Sequence, residues 1–167
     1  MKPRKGLNKA YLKVKPNRLA IEVLKHTLLC MEEEIKIVYL DDHLLFSTAM
    51  SQQCIYPYFP NARLIQFTNG DRVHDYLENT IRSHEKIDLF ITDINHPGML
   101  GDFLSHAIRN YEKKFTSPFK IPILIVSMAA DNQESVYFDN SGTVIQKYLS
   151  KAATEEEIVC SIKELLK

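Results

Sequence analysis

The chain is 167 residues long and 45% hydrophobic, with 21 basic and 21 acidic residues. That length suits one compact domain plus an extension and leaves little room for two, and the composition excludes a disordered or fibrous chain. The balanced total hides an asymmetry: residues 1–30 hold eight basic residues and one acidic, +7, against −7 for the remainder, so a basic segment precedes an acidic domain.

Residues 1–16 are rich in lysine, with Pro3 and Pro16 and little apolar periodicity, which predicts a mobile arm. Asn17 is a candidate N-cap, after which Ala20, Val23, Leu24, Leu28 and Met31 recur at helical spacing. Residues 1–33 therefore read as a basic arm and amphipathic helix, and 34–167 as the main domain. The most apolar stretch, Leu19 to Met31, is broken by Glu22, Lys25 and His26 and falls short of the roughly 20 residues a membrane span needs. Beyond Tyr11 the arm has no aromatic interleaving, which favours a solvated or self-docking tail over a nucleic-acid contact. Cys30, Cys54 and Cys160 form no C-x-x-C pair, which predicts buried thiols in a reducing, cytoplasmic setting.

From Ile35 onward, short apolar runs alternate with longer amphipathic segments. Strands are expected at Ile35–Leu40, Leu64–Phe67, Leu89–Thr92, Ile121–Ser127 and Val144–Leu149. Helices are expected near His43–Tyr56, Asp71–Arg82, Gly101–Lys114 and Thr154–Leu166, with a weaker helical connection around Asn132–Asn140. Thr154 and Glu157 have capping-box spacing. This alternation predicts an α/β fold, a doubly wound five-stranded parallel sheet with an N-terminal basic helical extension.

Such sheets carry their sites at the carboxyl ends of the strands. Asp41 and Asp42 close the first apolar run, Asp93 the third and Ser127 the fourth, and Lys151 follows the fifth. Carboxylates gathered there repel each other by about 4 kcal/mol per pair, for charges roughly 4 Å apart at an effective dielectric near 20. Mg2+ is the natural counter-ion, a hard cation that takes one or two carboxylates and keeps several waters. Lys151 supplies a second, fixed charge. A carboxylate held beside such cations can attack phosphorus and form an aspartyl phosphate, and Asp93 is the best-placed nucleophile.

The segments Ile37-Val-Tyr-Leu-Asp41-Asp42, Leu89-Phe-Ile-Thr-Asp93-Ile-Asn95-His-Pro97-Gly98-Met-Leu-Gly101, Ile123-Leu-Ile-Val-Ser127 and Tyr148-Leu-Ser-Lys151 together resemble the receiver domain of two-component response regulators, from about Glu34 onward. The resemblance implies a flavodoxin-like receiver fold with Asp93 as phosphoacceptor. It implies that Asp42, Asp93 and the backbone carbonyl of Asn95 ligate Mg2+, with Asp41 acting directly or through water. Ser127 and Lys151 would bind the phosphoryl oxygens, and Tyr148 would be the switch aromatic coupled to Ser127. The implied partners are a histidine kinase or phosphotransfer protein and a downstream protein of unknown identity, with no output domain following in this chain.

The chain departs from that pattern in places. Ala152 stands where proline commonly follows the lysine, and a cis bond before a non-proline residue costs about 2.5 to 4 kcal/mol, so Lys151 could sit differently. Met128 replaces a small residue and could narrow the site. His96 replaces a common methionine, and Ala129–Gly142 matches poorly. These departures support one alternative, a pseudo-receiver that works as an interaction module without phosphorylation. A transition-metal site built on His43 and His96 is a further alternative, although His43 reads better as the start of the first helix. A magnesium phosphatase of the haloacid dehalogenase type needs Asp-x-Asp at the nucleophile. Asn95 stands where the second Asp would be, so turnover of an external substrate is not expected. No G-x-G-x-x-G follows the first strand, which excludes dinucleotide binding of that type.

Overall fold

The computed structural model describes residues 33–128, 136–138 and 144–167. The expected arm and the Asn17–Met31 helix lie outside the described residues. Among the described residues six strands form one sheet: β1 Ile35–Leu40, β2 Ala62–Phe67, β3 Leu89–Thr92, β4 Ile123–Ser127, β5 Val136–Phe138 and β6 Val144–Ser150. Their order is β2-β1-β3-β4-β6-β5. The first five in that order run parallel, which is the expected doubly wound sheet.

The sixth strand is a correction. A weak helix is expected around Asn132–Asn140, but Val136–Phe138 form an antiparallel strand on β6, with Val136 opposite Lys147, Tyr137 opposite Gln146, and a register shift before Phe138. The run Val-Tyr-Phe is β-branched and aromatic, so it favours a pleated strand and is too short to show helical periodicity.

Strands β1, β3 and β4 are almost fully buried, as expected where helices cover both faces of a parallel sheet. Alternate residues therefore enter two separate cores. On one face Ile37, Tyr39, Leu89, Ile91, Leu124 and Val126 pack with Met50, Cys54, Ile55 and Phe59 and with Ile158, Val159, Ile162 and Leu165. On the other, Val38, Leu40, Phe90, Ile123 and Ile125 meet Val73, Leu77, Ile81, Leu104 and Ile108.

The helices are α1 Leu44–Ala49, α2 Gly70–Arg82, α3 Gly101–Lys114 and α4 Glu155–Leu165; α2, α3 and α4 supply buried side chains to these cores, whereas α1 has none. The expected single helix from His43 to Tyr56 is instead α1 followed by a π-helical turn, Met50–Ile55, in which Tyr56 N–H donates to Ser51 C=O at 3.0 Å. Widening the turn places Met50, Cys54 and Ile55 against the sheet. The capping box at α4 forms as expected: Glu157 N–H donates to Thr154 Oγ1 at 3.3 Å, and Thr154 N–H donates to Glu157 Oε2 at 2.7 Å. Cys54 is buried, but Cys160 is exposed on the outer face of α4, against expectation. Among the described residues no helix is long and apolar enough to cross a membrane.

Candidate functional site

Backbone hydrogen bonds tie the carboxyl ends of the strands together. Asp41 N–H donates to Phe67 C=O at 3.1 Å, and Asp93 N–H to Leu40 C=O at 3.0 Å. Ser127 pairs with Ser150 in the β4–β6 register, and the next residue, Lys151, donates its N–H to Ser127 C=O at 3.1 Å. The side chains expected at this edge therefore start from fixed positions.

Lys151 is the centre of the arrangement. Its Nζ lies 2.7 Å from Asp41 Oδ2 and 2.8 Å from Asp93 Oδ2, with the three side chains almost wholly buried. Asp41 Oδ1 accepts the His43 N–H at 2.8 Å, and Tyr39 OH donates to its Oδ2 at 3.3 Å. Asp93 Oδ1 accepts the Asn95 N–H at 3.2 Å. Asp42 is exposed at the same edge, outside the lysine's ion pairs, and Ser127 is fully buried.

Charge balance follows from these contacts. Burial alone would raise the pKa of Asp93. Hydrogen bonds from Lys151 and from the Asn95 backbone, the lysine's charge and a hydrogen bond from Ser127 together outweigh burial and hold the carboxyl below its usual range. Lys151 is the mirror case: burial would lower its pKa, but its bonds to Asp41 and Asp93 outweigh that and push it up. Burial, reinforced by the Asp41 carboxylate, raises Tyr39, so its phenol stays a proton donor. The site therefore holds an ionised, desolvated carboxylate beside a cation that does not deprotonate near neutrality.

Two glycines set the loop between β3 and α3. Gly98 has φ +85°, a left-handed conformation that L side chains rarely adopt. At Gly101 an added Cβ would stand 2.3 Å from the Asp93 carbonyl oxygen, so the close approach of α3 behind Asp93 requires glycine.

The departures that fall among the described residues leave the ion pairs of Lys151 in place. No described peptide bond is cis, the Lys151–Ala152 bond included, yet Lys151 reaches both carboxylates. Met128, the residue after Ser127, is 70% exposed rather than packed into the core. His43 starts α1 as its N-cap, with Nδ1 accepting the Phe46 N–H at 3.2 Å. His96 is buried, its Nδ1 3.2 Å from Pro97 C=O and its ring against Gly70. Among the described residues no three His, Cys, Asp or Glu side chains converge as a metal cage, so the transition-metal alternative finds no support. The oxygen donors at this edge, carboxylates of Asp42 and Asp93 and the Asn95 carbonyl, do suit a hard ion that takes few carboxylates and completes its shell with water.

Tyr148 is half-buried against the α2–α3 core. Its hydroxyl donates to Asp102 Oδ1 in the first turn of α3 at 3.3 Å and accepts from Gln146 Nε2 at 3.0 Å. Two contributors were missed from the sequence. Tyr39 lies two residues before Asp41 and so shares its side of the strand, a signal that strand alternation carries. Phe46, in the first turn of α1, has its ring centroid 4.7 Å from Lys151 Nζ; its place three residues after His43 is the available signal.

No protein-family model matches the chain, and no curated protein does. Solved structures do match. The receiver domain of the hybrid histidine kinase CckA aligns at 16% identity over 79% of this chain and 99% of that one, with a TM-score of 0.56. A response regulator receiver domain from Rhodospirillum rubrum aligns at 19% identity over 78% and 90%, also at 0.56. The phosphorylated cyanobacterial phytochrome response regulator RcpA aligns at 16% identity over 78% and 90%, at 0.51. The likeness is one of fold: this chain has the flavodoxin-like fold of receiver domains.

Proposed function

We propose that this chain is a working receiver, which takes a phosphoryl group on Asp93 from a histidine kinase or phosphotransfer protein and changes its binding to a protein partner. The observation that carries this reading is the Lys151 ammonium bridging Asp41 and Asp93 above the buried Ser127. An Asp93 carboxylate oxygen attacks the phosphorus of a phosphohistidine, the P–N bond breaks, and the imidazole leaves with its electron pair and takes up a proton. Lys151 exchanges its bond to Asp93 for one to a phosphoryl oxygen while Asp41 keeps hold of it, so the cation is never unpaired. The Ser127 hydroxyl turns to a second phosphoryl oxygen. Asp42, Asp93 and the Asn95 carbonyl are the residues that would hold Mg2+, which when bound offsets charge on the phosphoryl oxygens.

Tyr148 is the switch in this reading. Its bond to Asp102 ties the ring to α3, and a ring drawn toward the displaced Ser127 side chain gives up that bond. Phosphorylation then shifts the population between two surface shapes.

Intact mass after incubation with Mg2+ and acetyl phosphate tests the proposal, with wild type compared to Asp93→Asn. One phosphoryl adduct on wild type alone is the expected result. Absence of an adduct, under conditions that label an ordinary receiver and with a panel of kinases, would leave the pseudo-receiver as the better reading.

A further inference from the structure

Lys151 Nζ has three N–H donors, and two of them are used on Asp41 and Asp93. The Phe46 ring also stands beside it, its centroid 4.7 Å from Nζ. Phe46 is half-buried and packs against the same core as Tyr39 and Val126, so one side of the ring is anchored. Its place on α1 is fixed in turn by Asp41, which holds His43 N–H, and by His43, which caps Phe46 N–H. One carboxylate thus positions both the lysine and the ring that covers it.

We infer that Phe46 is a positioning residue for Lys151, its ring holding the ammonium by cation–π attraction while the lysine changes partners during phosphoryl transfer. The inference rests on the receiver reading above. Attraction to a ring face consumes no N–H and tolerates sliding, unlike the bond to Asp93 that transfer must break. Carboxylates alone would hold the lysine in the ground state; the ring also holds it midway between two acceptors and keeps water off the side it covers. Phosphoryl transfer gains because the cation arrives at the phosphoryl oxygen already desolvated and in place.

The experiment measures the initial rate of adduct formation on the full chain with Mg2+ and acetyl phosphate, for wild type, Phe46→Leu, Phe46→Tyr and a chain carrying a trifluorinated phenylalanine ring at position 46. Fluorination keeps the ring's shape and weakens its negative face, so it separates charge attraction from packing. Circular dichroism and thermal melting confirm that each variant is folded. The expected result is a rate about three- to tenfold lower for Phe46→Leu and for the fluorinated ring, the loss that cation–π attraction of ordinary strength implies, with Phe46→Tyr near wild type. Equal rates for the native and fluorinated rings would overturn the inference and leave the receiver reading standing. A wild type that takes no phosphoryl group would overturn the receiver reading, and with it any role of Phe46 in transfer.

Discussion

At the scale of single residues, the pairing of Asp93 with Lys151 makes stability depend on pH in a definite direction. Asp93 has a folded-state pKa below its unfolded value, so its contribution is present above about pH 4 and is lost as pH falls through the folded value. Lys151 is raised; its contribution is complete below its unfolded pKa and is lost as pH rises through the folded one. Asp93→Asn lacks the acid-side term, so the gap in melting temperature between it and wild type should narrow as pH drops below about 4; a gap constant with pH would contradict the pairing. Lys151→Met leaves two buried carboxylates without their shared cation and should cost about 3 kcal/mol in urea denaturation without divalent ions. Added Mg2+ should return part of that loss, since Asp42 and Asp93 would then hold the replacement cation. The strand-end residues were legible because each ends or follows an apolar run. The exposure of Met128 was not, because the turn after β4 decides on which side of the site that side chain emerges.

At the scale of elements, the loop from Asp93 to Gly101 is held by both backbone and side-chain contacts: Gly101 N–H donates to Ile94 C=O at 3.1 Å, and Met99 N–H donates to Asp71 Oδ1 at 3.1 Å. Gly101→Ala would push a methyl group into the Asp93 carbonyl and should destabilise the fold by about 2 kcal/mol. In the receiver reading it should also slow adduct formation, because the backbone that must yield carries Asp93. Thr154→Ala removes one half of the α4 capping box and should cost about 1 kcal/mol, with adduct formation unchanged. Chemical denaturation and intact mass together separate the two cases. Strands β1 and β3 were read from sequence with their observed bounds, since both faces are covered and each run is mainly apolar, interrupted only by Lys36 in β1 and ended by Thr92 in β3. The π-helical turn at Met50–Ile55 was not, because one extra residue per turn leaves a pattern that both helix types satisfy. Cys160 was misplaced although a signal existed: it follows Ile158 by two positions, roughly 200° around the helix, opposite the buried face.

At the scale of the molecule, the parallel sheet was legible from alternation, whereas its strand order was not, and the antiparallel β5 lies in a stretch with no usable periodicity. The two cores predict how protection is distributed. Amide hydrogen exchange should be slowest in β1, β3 and β4, which have a strand on each side and a core on each face, and faster in β2, which has one neighbour; equal protection across β1 and β2 would be inconsistent with this sheet order. The short β5 has a consequence of another kind. Without it, the seven residues of β6 would present a bare row of backbone donors and acceptors able to recruit strands from other copies. Val136–Phe138 cover part of that row, and the boundary they create is three residues long with a register shift in it. Among the described residues, an edge so brief and irregular is a poor template for intermolecular pairing, unlike the longer row that β6 would otherwise present.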